Sequence, residues 1–180
     1  MQLERDEWRA RFANVKHGAF HLELRDVYGV PAESGPFTRW LAGIPETDEE
    51  ITARRSGWGA LVQGITSTGR TVRRVRVVTE PHTDYIRWEH EGTAFNVEFG
   101  EDIRWLPRHQ FPTDLALPVE GHDWWLLDET SVVVNLVDAE GRAAGMELVE
   151  DPAVVADCVR VRDLLWPLGI PHADYKPVTA

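Results

Sequence analysis

T-V-R-R-V-R-V-V-T, residues 71–79, is the stretch on which the fold turns. It is dense in β-branched residues, and Gly69 just before it is a natural stop for a preceding helix, so it predicts a strand. Period two places Arg74 and Arg76 on one face with Val72 and Val78, and Val75 and Val77 on the other with Arg73. Beyond Pro81, residues Asp84 to Phe99 carry Tyr85, Ile86, Trp88, Phe95, Val97 and Phe99 in a pattern that predicts helix at least as far as Glu91. D-I-R-W-L, residues 102–106, closed by Pro107, then predicts a second strand. Strand, helix, strand in this order is a parallel crossover unit.

Working towards the C-terminus, Arg108 to Gly121 carries Pro112 and Pro118 with little periodicity and predicts a loop. Trp124 to Leu127, Val132 to Val137 and Ala144 to Val149 are three short β-prone segments, with Asp138 to Arg142 as a hairpin loop between the last two. Asp151-Pro152 opens a helix as N-cap and first-turn proline. Val154, Val155, Cys158, Val161, Leu164, Leu165 and Trp166 give it an apolar face as far as Pro167. Working towards the N-terminus, a helix is expected over Ser56 to Ser67, starting as early as Thr47 or Asp48, with Gly57 and Gly59 able to split it. Gly43 to Glu50 reads as loop and Pro36 to Leu41 as a short helix opened near Ser34. Phe20 to Arg25 alternates as a strand, and Leu3 to Val15 is an amphipathic helix. The expected fold is α/β, with α+β as the alternative: a central mixed sheet flanked by helices, in one domain spanning residues 1–180.

The 180 residues are 43% hydrophobic and 27% charged, a composition that folds. The net charge of −11 opposes phosphate backbones and anionic lipid, so direct nucleic-acid binding is not expected. Of 19 basic residues all but Lys16 and Lys176 are arginines, which leaves lysine chemistry almost nowhere to occur. One cysteine, no apolar leader and no long apolar run predict a cytoplasmic protein without a membrane span.

Arg74 and Arg76 are the first candidate site residues, either lining an anion-binding cleft at the sheet end or forming an ordinary ion-paired face. Glu80, His82 and Asp84 follow, sharing one side of an extended segment. Their spacing matches no defensible metal site, and the plainer account has Asp84 capping the next helix while Glu80 and His82 bond locally. Tyr85, Arg87 and Trp88, with Glu89, can turn a face of that helix towards the arginines, as an aromatic and guanidinium pocket or as plain core. Arg104 on the next strand completes the set. Cys158 belongs to an apolar helix face, where a thiol is packing. No Gly-x-Ser-x-Gly and no glycine-rich phosphate loop occurs, and neither metal nor cofactor is expected.

R-R-V-R-V-V-T-E-P-H-T-D-Y-I-R-W-E (73–89), G-E-D-I-R-W-L-P-R (100–108), W-W-L-L-D-E-T (124–130), D-P-A-V-V (151–155) and I-P-H-A-D-Y (170–175) resemble an actinobacterial family known by a domain-of-unknown-function label. The likeness covers about residues 1 to 176. Members are commonly encoded beside helix-turn-helix regulators, which implies a regulatory accessory role. The order of elements is also similar to one half of a phospholipase-D-like fold. That fold's chemistry needs a His-x-Lys pair, and neither Lys16 nor Lys176 lies two residues after a histidine. What the likeness implies is a cleft without its catalytic pair, as in ligand-sensing regulator domains. The functional expectation is therefore a non-catalytic regulatory or ligand-sensing domain with a protein partner and a small anionic or polar ligand. The alternative is an enzyme using Glu80, His82 or Asp84 as base, with arginines stabilising negative charge.

Overall fold

The computed structural model describes every residue except Val30, 139–141 and Ala180. The sequence expectation for the Asp138 to Arg142 hairpin loop falls largely on 139–141, outside the described residues. Among the described residues, seven strands form one mixed sheet in the order β6-β5-β4-β1-β2-β3-β7. β1 (Gly18–Glu23), β2 (Thr71–Val78) and β3 (Glu101–Pro107) run parallel, and β4 (Asp123–Leu127), β5 (Ser131–Val137) and β6 (Ala143–Val149) add an antiparallel meander beside β1. The two-residue β7 (Ile170–Pro171) pairs with β3. The protein is thus α/β, and β2 and β3 are joined by the parallel crossover that residues 71–106 predict.

The helices are α1 (Arg5–Ala13), α2 (Pro31–Leu41), α3 (Asp48–Arg54), α4 (Ala60–Thr66), α5 (Asp84–Glu98) and α6 (Pro152–Leu165). Thr47 caps α3 in a reciprocal capping box with Glu50. Gly57 and Gly59 do not break the chain after α3. A π-helical turn, Arg55–Gly59, carries it directly into α4. A Cβ on Gly59 would stand 2.8 Å from the Phe99 ring, so glycine is what lets this turn meet the end of α5. The helix from Asp84 runs past Glu91 to Glu98 and is capped by Thr83, whose Oγ1 accepts from the Ile86 amide at 3.2 Å. Asp84 is therefore the first helical residue and not the cap. It is exposed and pairs with Arg87 at 2.8 Å.

The two faces of the sheet are packed by different chemistry. On one, Phe20, Leu22, Val75, Val77 and Leu106 meet Val155, Cys158, Val161 and Leu165 of α6, with Phe111, Leu115 and Leu117 of the long loop filling in beside the helix. Cys158 sits in this core fully buried, as its apolar surroundings in the sequence predict. The other face carries two apolar clusters, one where Phe12 of α1, Val62 and Ile65 of α4 and Trp125 come together, and one where Val78 and Trp105 meet Tyr85 and Ile86 of α5 and Tyr175. Between the two, the same face carries charge.

Candidate functional site

Strand registers explain the charge. β1, β2 and β3 pair so that His21 stands opposite Arg74 and Glu23 opposite Arg76, while Arg74 and Arg76 stand opposite Ile103 and Trp105. Period two therefore collects His21, Glu23, Arg74, Arg76 and Glu101 on the side covered by the crossover helices, and all five are buried. Arg74 directs Nε and Nη2 to Glu101 Oε1 and Nη1 to Glu23 Oε1, each at 2.7 Å. Arg76 donates to the other Glu23 oxygen and to Glu89 of α5. The second Glu101 oxygen accepts from Trp58 Nε1 at 3.1 Å and Asn96 Nδ2 at 3.2 Å. Burial alone would raise the Glu23 carboxyl, but Arg74 and Arg76 hold it well below the usual range.

His21 stacks on Trp125, with ring centroids 4.0 Å apart and planes 12° from parallel. Burial, aided by Arg74 and Arg76 and opposed by Glu23, pushes its pKa down to about 3, so it is neutral. Its Nε2 lies 3.2 Å from Asn135 Nδ2 and its Nδ1 3.4 Å from Glu23 Oε1. Two phenol–carboxyl pairs border the charges. Tyr28 donates to Asp123 at 2.5 Å and Tyr85 to Glu33 at 2.6 Å. Burial raises Asp123 to about 6 and Glu33 to about 7, in each case against the pull of the phenol.

The residues singled out in the sequence do not converge on one place. Arg74, Arg76 and Tyr85 belong to this polar chamber. Glu80 and His82 lie beyond the end of β2 and tie down the C-terminal segment. Tyr175 OH donates to Glu80 at 2.8 Å and meets His82 Nε2 at 2.7 Å, while His82 Nδ1 accepts from the Val178 amide at 2.9 Å. Both ring nitrogens of His82 are thereby occupied. Arg104 points to the opposite face of the sheet, with its guanidinium 4.0 Å from the Trp166 ring and Nη1 on the Trp166 carbonyl at 3.0 Å.

Arg87 and Trp88 lead to a different feature, a cleft of about 330 Å³ between α2, α3 and α5. Its apolar walls are Pro36, Trp40, Ile44, Trp88 and Phe95, and its charged members are Arg39, Glu46, Glu50, Arg54 and Glu91. The volume is at the small end of ligand sites, and three rings share the lining with five charged side chains, a more polar wall than such sites usually have. α2 connects cleft and chamber. Its first turn supplies Glu33 to Tyr85, Phe37 packs edge-on against Tyr85 and beside Trp88, and Trp40 donates to Glu91 at 2.7 Å.

Glu23, Glu101, Asp123 and Glu33 were not singled out in the sequence, whereas Glu89 lies, as its helical spacing predicts, on the face of α5 turned towards the arginines, where it pairs with Arg76. The signal was present in F-H-L-E, residues 20–23: alternation puts His21 and Glu23 on one face, and a central strand has no solvated face. Among the described residues no group of three or more His, Cys, Asp or Glu is placed to hold a metal ion.

The family model of a domain of unknown function, DUF6879, matches residues 6–177. The chain belongs to the DUF6879 family. That match spans both the chamber and the cleft, along with the C-terminal segment as far as Pro177. No curated protein is significantly similar to this DUF6879 chain. Among the described residues no helix is long and apolar enough to cross a membrane.

Proposed function

We propose that this DUF6879 protein is a non-catalytic, ligand-sensing regulatory domain that acts with a protein partner, a helix-turn-helix regulator being the kind the family resemblance favours. The observation that carries the reading is the cleft: two tryptophans and a phenylalanine facing a small volume, with one wall made by α2. Arg74 and Arg76 are a poorer seat for a ligand, because Glu23, Glu89 and Glu101 already neutralise them inside the protein. α2 supplies the sensing step. A ligand that moves Trp40 also moves Phe37 and Glu33, which touch the chamber through Tyr85. The likeness to half of a phospholipase-D-like fold lacking its catalytic pair remains a proposal of the same kind.

The test is a thermal-shift screen of the purified protein against phosphates, nucleotides, carboxylates and amines, followed by tryptophan fluorescence. A ligand at a hundred times its dissociation constant adds about 2.7 kcal/mol of stability. A hit lost in Trp88→Ala supports the cleft. A hit that survives it places the ligand elsewhere, and a silent screen leaves the partner, sought by pull-down, as the working function. The enzymatic reading has one observation in its favour, the Glu33 carboxyl raised to about 7 beside Tyr85. Turnover of any hit that Glu33→Gln abolishes would establish it.

A further inference from the structure

We propose that the cleft between α2, α3 and α5 selects an organic cation, an amine or guanidine attached to a flat or apolar body; this rests on the reading of that cleft as the ligand seat. The argument is one of charge and ring chemistry. Of the three carboxylates lining the cleft, Glu46 is paired with Arg54 at 2.7 Å and Glu50 with Arg39 at 3.6 Å. Glu91 has no cationic partner among the described residues. Its Oε2 accepts from the Trp40 indole, and the side chain is otherwise exposed.

An unneutralised carboxylate fixed at the edge of an indole is half of a cation site, and the ring faces are the other half, since their quadrupoles attract ammonium and guanidinium groups. The protein already uses two of these rings in that way, which leaves Trp88 as the cleft ring, among the described residues, with no cation of its own. The Arg54 guanidinium lies 4.1 Å from the centroid of Phe95, and that of Arg87 lies 5.5 Å from Trp40. An anion entering the same cleft would meet Arg39 and Arg54 already paired with Glu50 and Glu46, the unpaired carboxylate of Glu91, and the field of a chain with net charge −11. The apolar body of the ligand would lie along Pro36, Ile44 and Trp88.

Three probes of nearly the same shape separate charge from fit: 2-phenylethylamine, 2-phenylethanol and 3-phenylpropionate, titrated while tryptophan emission is followed with excitation beyond phenyl absorption. The amine is expected to bind at least about tenfold more tightly than the alcohol, and the acid more weakly than either. Glu91→Gln, an exposed change that leaves the core intact, is expected to erase the gap between amine and alcohol without altering the alcohol. Equal binding of amine and alcohol, preference for the acid, or an amine advantage that survives Glu91→Gln would overturn the cation proposal while leaving the cleft as a binding site. If none of the three perturbs the emission at millimolar concentration, and Trp40→Phe and Trp88→Phe confirm that both indoles report, the cleft reading falls and the cation proposal with it.

Discussion

Arg74 commits three nitrogens to two carboxylates in the interior, and neither carboxylate has water to fall back on. Removing one member of such a set leaves the others charged and uncompensated, which costs more than the intact pairing contributes. Arg74→Met is therefore expected to lower unfolding free energy by about 3–5 kcal/mol, read from urea denaturation; a loss below 1 kcal/mol would mean that the chamber admits water. Glu33 gives the residue-scale pH dependence. Its folded value of about 7 lies above the ordinary 4.5, so the folded state favours the protonated acid. The contribution is complete below pH 4.5 and is lost as pH rises through 7. Glu33→Gln is expected to melt at a more constant temperature than the natural protein between pH 5 and 7.5, and parallel curves would contradict the assignment. At this scale the sequence was only partly legible. Arg74 and Arg76 could be put on one face from R-R-V-R alone, yet whether that face met solvent, ligand or carboxylates depended on Glu23, Glu89 and Glu101, which alternation and helical spacing place correctly only once strand order is known.

The C-terminal segment shows how an element lacking regular structure of its own is held. Ile170–Pro171 pairs with β3, the His172 amide donates to Ile103, Tyr175 stacks on Trp105 within 3° of parallel, and His82 exchanges two bonds with Val178. His172 Nδ1 accepts from Trp105 Nε1 at 3.2 Å, and the His90 ring lies 4.6 Å from His172. Burial lowers His82, His90 and His172 alike. His172 and Lys176 add to it at His90, Lys176 adds to it at His172, and Glu80 and Asp26 oppose it at His82. For bases held down in the folded state, stability is full above the ordinary 6.5 and is lost as pH falls below it. Protonation would also remove the acceptors facing Val178 and Trp105. Hydrogen-exchange protection of the His172 and Val178 amides is expected to fall between pH 7.5 and 5 while β2 amides keep theirs; uniform protection would refute the histidines' hold on the C-terminal segment. Elements were the most legible scale. D-P at 151–152, T-D-E-E at 47–50 and the valine run of β2 each carry a local start signal or propensity strong enough to act alone. The continuous α3-to-α4 helix and the Thr83 cap were less so, because Gly57 and Gly59 serve contact with Phe99 and not a break, and Thr83 competes with an equally good Asp84.

Over the whole molecule, the sheet presents little free edge. β6 is covered by the first residues of the chain, with the Leu3 amide on the Met146 carbonyl at 2.9 Å and the Leu148 amide on the Met1 carbonyl at 2.8 Å, and β3 is partly covered by the C-terminal segment. Exposed strand edges invite pairing with other chains, so removing residues 1–3 is expected to increase self-association in size-exclusion chromatography; an unchanged elution profile would show that this cover is dispensable. Cys158 reports on the integrity of the opposite layer. Its burial, with help from Asp157, pushes the thiol up to about 12, and a thiol reagent should react only as the protein unfolds. Reaction in the native state would place an opening motion under α6. Strand order itself has a temporal meaning. β1 lies in the middle of the sheet, but its neighbours are β2 and the much later β4. During synthesis the β4-facing edge of β1 must wait for roughly a hundred further residues, about 5–20 s at ordinary elongation rates. Until then β1, even once joined to β2, keeps one row of backbone groups unpaired beside the ribosome, the kind of exposed strand edge that chaperones shield.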